Sequence, residues 1–88
     1  MMKYRSRTDI TAQILEAANG GAAKTKIMYK AYLSFAQLKQ YMSMLLVDGM
    51  LEHDQRTNEY KTTAKGLKLL KTYYQMGEMM KVAVETPV

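Results

Sequence analysis

The sequence predicts a mainly α, α+β fold: three short helices, a two-stranded β-hairpin and a long C-terminal helix. Three observations predict it. Apolar residues recur at helical spacing in separate segments before Asp48, two short segments flank a polar turn at Gln55–Asn58, and helical spacing resumes after Thr62. With 88 residues, 48% of them apolar, the chain is long enough for one domain with a packed core.

The first helix spans about Thr8 to Ala18, where Ile10, Ile14 and Ala17 recur at i, i+4, i+7 and Leu15 and Ala18 widen the stripe. Ser6, three residues before Asp9, has the form of a capping box, and Asn19-Gly20-Gly21 supplies the left-handed residues that end a helix. The second helix spans Thr25 to about Ala31, with Thr25 as N-cap and Ile27 and Ala31 facing inward. A tight turn through Tyr32 and Leu33 leads to Ser34, the N-cap of a third helix with Gln37 at the reciprocal position. Phe35, Leu38, Met42 and Leu45 form its core stripe, beside Leu46, and Asp48-Gly49 closes it.

Met50–Asp54 and Glu59–Thr62 then form the hairpin, with Leu51 and His53 on one face and Tyr60 and Thr62 together on a face of the second strand. The last helix starts at Thr62 or Thr63 and runs to about Val84, before Pro87; Gly66 and Gly77 weaken it slightly. Leu69, Tyr73, Met76, Met80 and Ala83 follow the spacing of a coiled-coil seam, while Leu67, Leu70 and Tyr74 form a second apolar edge suited to packing on the helix's own domain. At ~1.5 Å per residue this helix is about 33 Å long, too long to lie wholly on so small a body. A helix–turn–helix followed directly by a hairpin is the winged helix-turn-helix plan. Residues 1–62 make the binding unit and residues 63–88 the dimerising helix of one compact domain.

Charge points to the partner. The net charge is +5, and it is uneven: +5 over residues 1–47, −2 over the hairpin region 48–62, and +2 over 63–88. Between Glu16 and Asp48 there is no acidic residue. Such a surplus favours an acidic partner, nucleic acid first. Without cysteine, and with His53 as the sole histidine, thiolate and histidine-based metal sites are excluded, and no metal or other cofactor is expected. The apolar runs are too short to span a bilayer, and the basic N-terminus lacks the apolar stretch of a secretory signal. A cytoplasmic, nucleoid-associated location follows. His53 and Asp54 are strand neighbours and point to opposite faces, Gly20-Gly21 lacks the spacing of a phosphate loop, and the carboxylates are scattered, so an enzyme is not expected.

Lys24–Tyr41, Tyr60–Gly66 and Tyr4–Ile10 resemble the helix–turn–helix, the passage from wing to last helix, and the opening of small archaeal winged helix-turn-helix DNA-binding proteins. The resemblance covers nearly the whole chain. It implies binding of double-stranded DNA, often as a homodimer joined through the C-terminal helices, by a transcription regulator or a chromatin-associated protein.

The third helix supports the same role independently. Ala36, Gln37, Gln40, Ser43 and Met44 lie opposite its core stripe, flanked by Lys39 and Tyr41. Ala36, Gln37, Gln40 and Ser43 suit base edges in the major groove, where a glutamine can pair with adenine and a small residue permits close approach. Capping alone accounts for Gln37 as well. Lys24, Lys26, Tyr29, Lys30, Tyr32, Ser34 and Lys39 are the candidate phosphate contacts, although Tyr29 and Tyr32 equally suit the rim of the core. Arg56 and Thr57 sit at the tip of the wing, where an arginine can enter a minor groove, but Asp54 and Glu59 beside them repel phosphate. Lys3, Arg5 and Arg7 form a separate basic arm. The methionines at helical spacing (Met28, Met42, Met44, Met50, Met76, Met79 and Met80) suit core or dimer-seam positions. The main rival is a winged helix that contacts protein in a transcription assembly through its acidic hairpin and exposed Met and Tyr. RNA binding ranks below both.

Overall fold

Ser6 starts the first helix, α1 (Arg7–Ala17), through a reciprocal pair of bonds. Its hydroxyl accepts from the Asp9 N–H at 3.0 Å, and Asp9 Oδ2 accepts from the Ser6 N–H at 2.9 Å. The computed structural model describes the backbone of residues 5–85 and the side chains as far as Met76. Gly20 and Gly21 turn the chain at φ 87° and 104°. Ala22 then exchanges both backbone hydrogen bonds with Tyr60, at 2.9 and 2.8 Å, which adds a single bridge to the hairpin.

That bridge fixes where α2 (Lys24–Lys30) begins. Its N-cap is Ala23 and not Thr25 as the sequence suggested, because the chain leaves the bridge already directed into the helix; the Ile27 N–H reaches the Ala23 carbonyl at 3.1 Å. Tyr32, at φ 53°, makes the turn into α3 (Phe35–Val47). Ser34 and Gln37 cap α3 as their spacing predicts, the Ser34 hydroxyl accepting from the Gln37 N–H at 3.2 Å. Leu38, Met42 and Leu45 are buried, but Phe35 is 58% exposed. Phe35 shares their stripe yet occupies the first helical position, beyond the reach of the core. Gly49, at φ 74°, ends the helix.

The hairpin strands are β1 (Leu51–Asp54) and β2 (Glu59–Thr62), paired antiparallel with Leu51 opposite Thr62 and His53 opposite Tyr60. His53 and Tyr60 stack with ring centroids 4.5 Å apart. Buried Thr62 joins the hairpin to α1: its hydroxyl donates to the Leu15 carbonyl at 2.6 Å and its N–H to the Ala18 carbonyl at 3.1 Å. These are the carbonyls of the last turn of α1 and of its C-cap, which have no partner within the helix.

Thr63 caps the last helix, α4 (Ala64–Glu85), accepting from the Gly66 N–H at 3.1 Å. Gly66 is more than a weak helix residue. A Cβ there would fall on the Met50 carbonyl oxygen and within 2.7 Å of Thr62 Cγ2. This close approach sets the rotation of α4, so Leu70 is buried and Leu69 and Tyr73 pack against the core. Leu67 and Tyr74, which the sequence assigned to that packed edge, are exposed instead. Ile14, Leu15, Ile27 and Leu38 form the centre of the core, fully enclosed. The molecule measures 54 × 29 × 19 Å, and its length is consistent with an extended α4.

Candidate nucleic-acid interface

The capping box places a row of side chains along the free face of α3. Ala36, Gln37, Gln40 and Ser43 are all exposed, together with Met44 and Val47. The Gln37 side-chain oxygen accepts from the Ser34 N–H at 3.0 Å, so one of its two polar groups is committed to the cap. Gln40 stands one turn further on and lines a groove with Arg7, Tyr41 and Met44.

Arg7 is the residue whose position the sequence misread. Grouped with an N-terminal arm, it is the first residue of α1, with its guanidinium 3.9 Å from the sulfur of Met44 on α3. The capping box already carried the signal, since an N-cap at Ser6 makes Arg7 helical. Arg5 has left the arm as well. Its guanidinium donates to Gln13 Oε1, to the Ala31 carbonyl and, at 2.9 Å, to the Tyr32 carbonyl. A cation there satisfies the exposed carbonyls at the end of α2 and holds the turn into α3. Lys3 lies outside the described residues.

The cations of α2 and α3 divide into two groups. Lys24 reaches the ring of exposed Phe35, 5.4 Å from its centroid, at the start of α3. Exposed Lys39 lies on the flank of α3 opposite Tyr41 and Arg7, so positive charge borders the free face on both sides. Lys26 and Tyr29 are exposed on α2, Tyr29 by 75%. Lys30 and Tyr32 belong elsewhere, lining a second groove with Gln13, Glu16 and Ala17 of α1. Ser34 is engaged as the cap, with its hydroxyl proton still available to a ligand.

At the wing, Arg56 and Thr57 are exposed. Asp54 is not free to act alone, because its Oδ1 accepts from the Arg56 N–H at 2.9 Å, and Asn58, at φ 58°, completes the turn. His53 Nε2 lies 2.8 Å from Asn58 Oδ1. Both polar side chains therefore shape the loop that presents Arg56.

On α4, Tyr73 donates to Asp9 Oδ1 at 2.6 Å. This bond from Tyr73, with the N–H and hydroxyl of Ser6 behind it, holds the Asp9 carboxyl below its ordinary range; the Asp9 carboxylate in turn raises the Tyr73 phenol. Of the five seam candidates, Leu69 and Tyr73 lie against their own core and Met76 is 55% exposed, while the side chains of Met80 and Ala83 lie outside the described residues, as does that of Met79. Among the described residues there is no group of three or more His, Cys, Asp or Glu that could hold a metal ion. No described helix is long and apolar enough to cross a membrane.

Residues 4–81 match the model of a winged helix-turn-helix family. The chain is 29% identical over 77 residues to an uncharacterized protein of Methanocaldococcus jannaschii, an overlap of 86% of this chain and 77% of that one. Among solved structures it is similar to Sso10a-2, a DNA-binding protein from Sulfolobus solfataricus, with a TM-score of 0.76 and 22% identity over 92% of this chain and 90% of that chain. That similarity is one of fold.

Proposed function

Since this chain belongs to the winged helix-turn-helix family, we propose that it binds double-stranded DNA by laying α3 in the major groove. One observation carries the reading: the exposed face of α3 bears only small, amide and thioether or aliphatic side chains, and cations border it on both flanks. Gln40 and Ser43 are the leading base readers, with Ala36 allowing close approach and Gln37 contributing its free amide donor. Lys24, Lys26, Lys39 and Arg7, with Tyr29 and Ser34, supply the phosphate contacts that position the protein without reading sequence. Arg56 and Thr57 at the wing make a further contact. That Sso10a-2 is a DNA-binding protein of the same fold supports this reading.

The working form in this reading is a homodimer joined through α4, acting by occupancy of DNA as a regulator or an architectural protein and not as an enzyme, in the cytoplasm on the nucleoid. In support, α4 has 22 residues, its early turns pack on their own domain, and Tyr74 and Met76 stay exposed beyond them.

Fluorescence anisotropy with a generic duplex and an A·T-rich one, across a salt series, tests the proposal. Each neutralised phosphate contributes about −0.9 to the slope of log K against log salt. A steep slope on both duplexes is expected, and a gap between them favours a sequence-reading regulator. Absence of binding at low salt would replace this reading with protein contact in a larger assembly.

A further inference from the structure

Among the described residues, α2 and α3 end in the same motif, and α2 does so with an unfavourable residue. At the end of α3 the Met50 N–H bonds to the Leu45 carbonyl at 2.8 Å and the Gly49 N–H to the Leu46 carbonyl at 3.2 Å. At the end of α2 the Leu33 N–H bonds to the Met28 carbonyl at 3.1 Å and the Tyr32 N–H to the Tyr29 carbonyl at 3.3 Å. The left-handed position of this motif suits glycine, and α3 has Gly49 there; α2 has Tyr32, at φ 53°. Packing does not offset the strain, because Tyr32 is 79% exposed. Arg5, bonded to the Ala31 and Tyr32 carbonyls, holds this turn through the backbone, which leaves the Tyr32 ring free for another role.

Tyr32 borders a groove lined also by Gln13, Glu16 and Ala17 of α1 and Lys30 of α2, with its ring exposed beside it. Glu16 and Arg7 are nine residues apart on α1, about half a turn around that helix, so this groove opens away from the free face of α3. Gln13 is engaged by Arg5, whereas Glu16 and Lys30 are exposed. An aromatic residue, a carboxylate and a cation therefore line one groove, and the carboxylate calls for a ligand that brings hydrogen-bond donors as well as negative charge.

We propose that this groove binds an unpaired guanine nucleotide, carried in a single strand or free. Tyr32 offers a ring for the base to stack on. Glu16, an acceptor only, matches the adjacent N1–H and N2–H donors that guanine alone among the bases presents on its Watson–Crick edge. Lys30, the cation of the groove, takes the phosphate. Pairing hides that edge, so duplex DNA is excluded from the groove and the site is independent of α3.

The test is anisotropy of the full chain with a thymine-rich single strand carrying isolated guanines, and with the same strand carrying inosine, which lacks the N2 amine. The guanine strand is expected to bind about tenfold more tightly, the effect of one hydrogen bond to a charged acceptor. Tyr32→Gly and Glu16→Gln should each abolish that preference and leave duplex affinity unchanged. Tyr32→Gly should melt at or above the wild-type temperature, since glycine adopts the positive φ freely. Competition by guanosine monophosphate supports the free-nucleotide form of the site, and preference without competition supports the single-strand form. Equal affinity for the guanine and inosine strands would overturn the proposal, as would a parallel loss of duplex binding in Tyr32→Gly. The comparison of guanine and inosine strands requires no duplex binding, so the two readings fail separately.

Discussion

The Tyr73 phenol donates to the Asp9 carboxylate at 2.6 Å, joining residues 64 positions apart and tying α4 to the first turn of α1. Asp9 is also the reciprocal partner of Ser6 in the cap of α1. One carboxylate thus holds both the start of the first helix and the docking of the last.

The pair gives stability a defined pH dependence. Asp9 titrates below its ordinary value in the folded protein, so its contribution is complete above the ordinary carboxylate range and is lost as pH falls through the lowered pKa. Tyr73 titrates above its ordinary value, so its contribution is complete below the ordinary phenol range and is lost as pH rises through the raised pKa. Urea denaturation should find Tyr73→Phe less stable than wild type at neutral pH. The gap should narrow below about pH 4 and above about pH 10.

Gly66→Ala should destabilise the protein although alanine is the better helix former. The added methyl meets the Met50 carbonyl oxygen and Thr62 Cγ2. Relieving that overlap requires a backbone shift of about 1–3 kcal/mol, against a helix-propensity gain of about 1 kcal/mol. Thermal melting of the single variant checks the sign.

For duplex DNA, Arg7→Ala and Lys24→Ala should each weaken all sequences alike and reduce the salt slope by about 1. Gln40→Ala should change the preference between duplexes by about 1–3 kcal/mol with little effect on the slope. An unchanged slope in both cation variants would remove α1 and the start of α2 from the binding surface.

Sedimentation of the wild type should give the mass of a dimer, twice the 10.1 kDa chain. Met76→Glu, at an exposed position on α4, should shift it toward the monomer.

Short-range signals made much of this fold legible. Ser6 with Asp9 and Ser34 with Gln37 are capping boxes whose partners lie within one turn, and the turn at Gln55–Asn58 closes a hairpin of neighbouring strands. The misreadings arise where distant segments decide the outcome. Thr25 lost the N-cap of α2 to Ala23 because Ala22 bridges Tyr60, and α4 turned Leu69 and Tyr73 inward because Gly66 sits on Met50 and Thr62. Periodicity placed Phe35 in the core, since periodicity does not register that the core has ended. The candidate site followed the same rule: the face of α3 was legible from spacing, while the roles of Arg5 and Arg7 depended on which distant carbonyls and side chains they met.

The Ala22–Tyr60 bridge governs how the wing can move. It fastens the hairpin to the chain entering α2, and Thr62 fastens the same strand to the end of α1. The wing therefore cannot swing as a flap, and any displacement carries the helical body with it. Whatever meets the wing finds a preset surface, so the loss of freedom on association falls on exposed side chains such as Arg56 and on the incoming partner, not on the hairpin backbone.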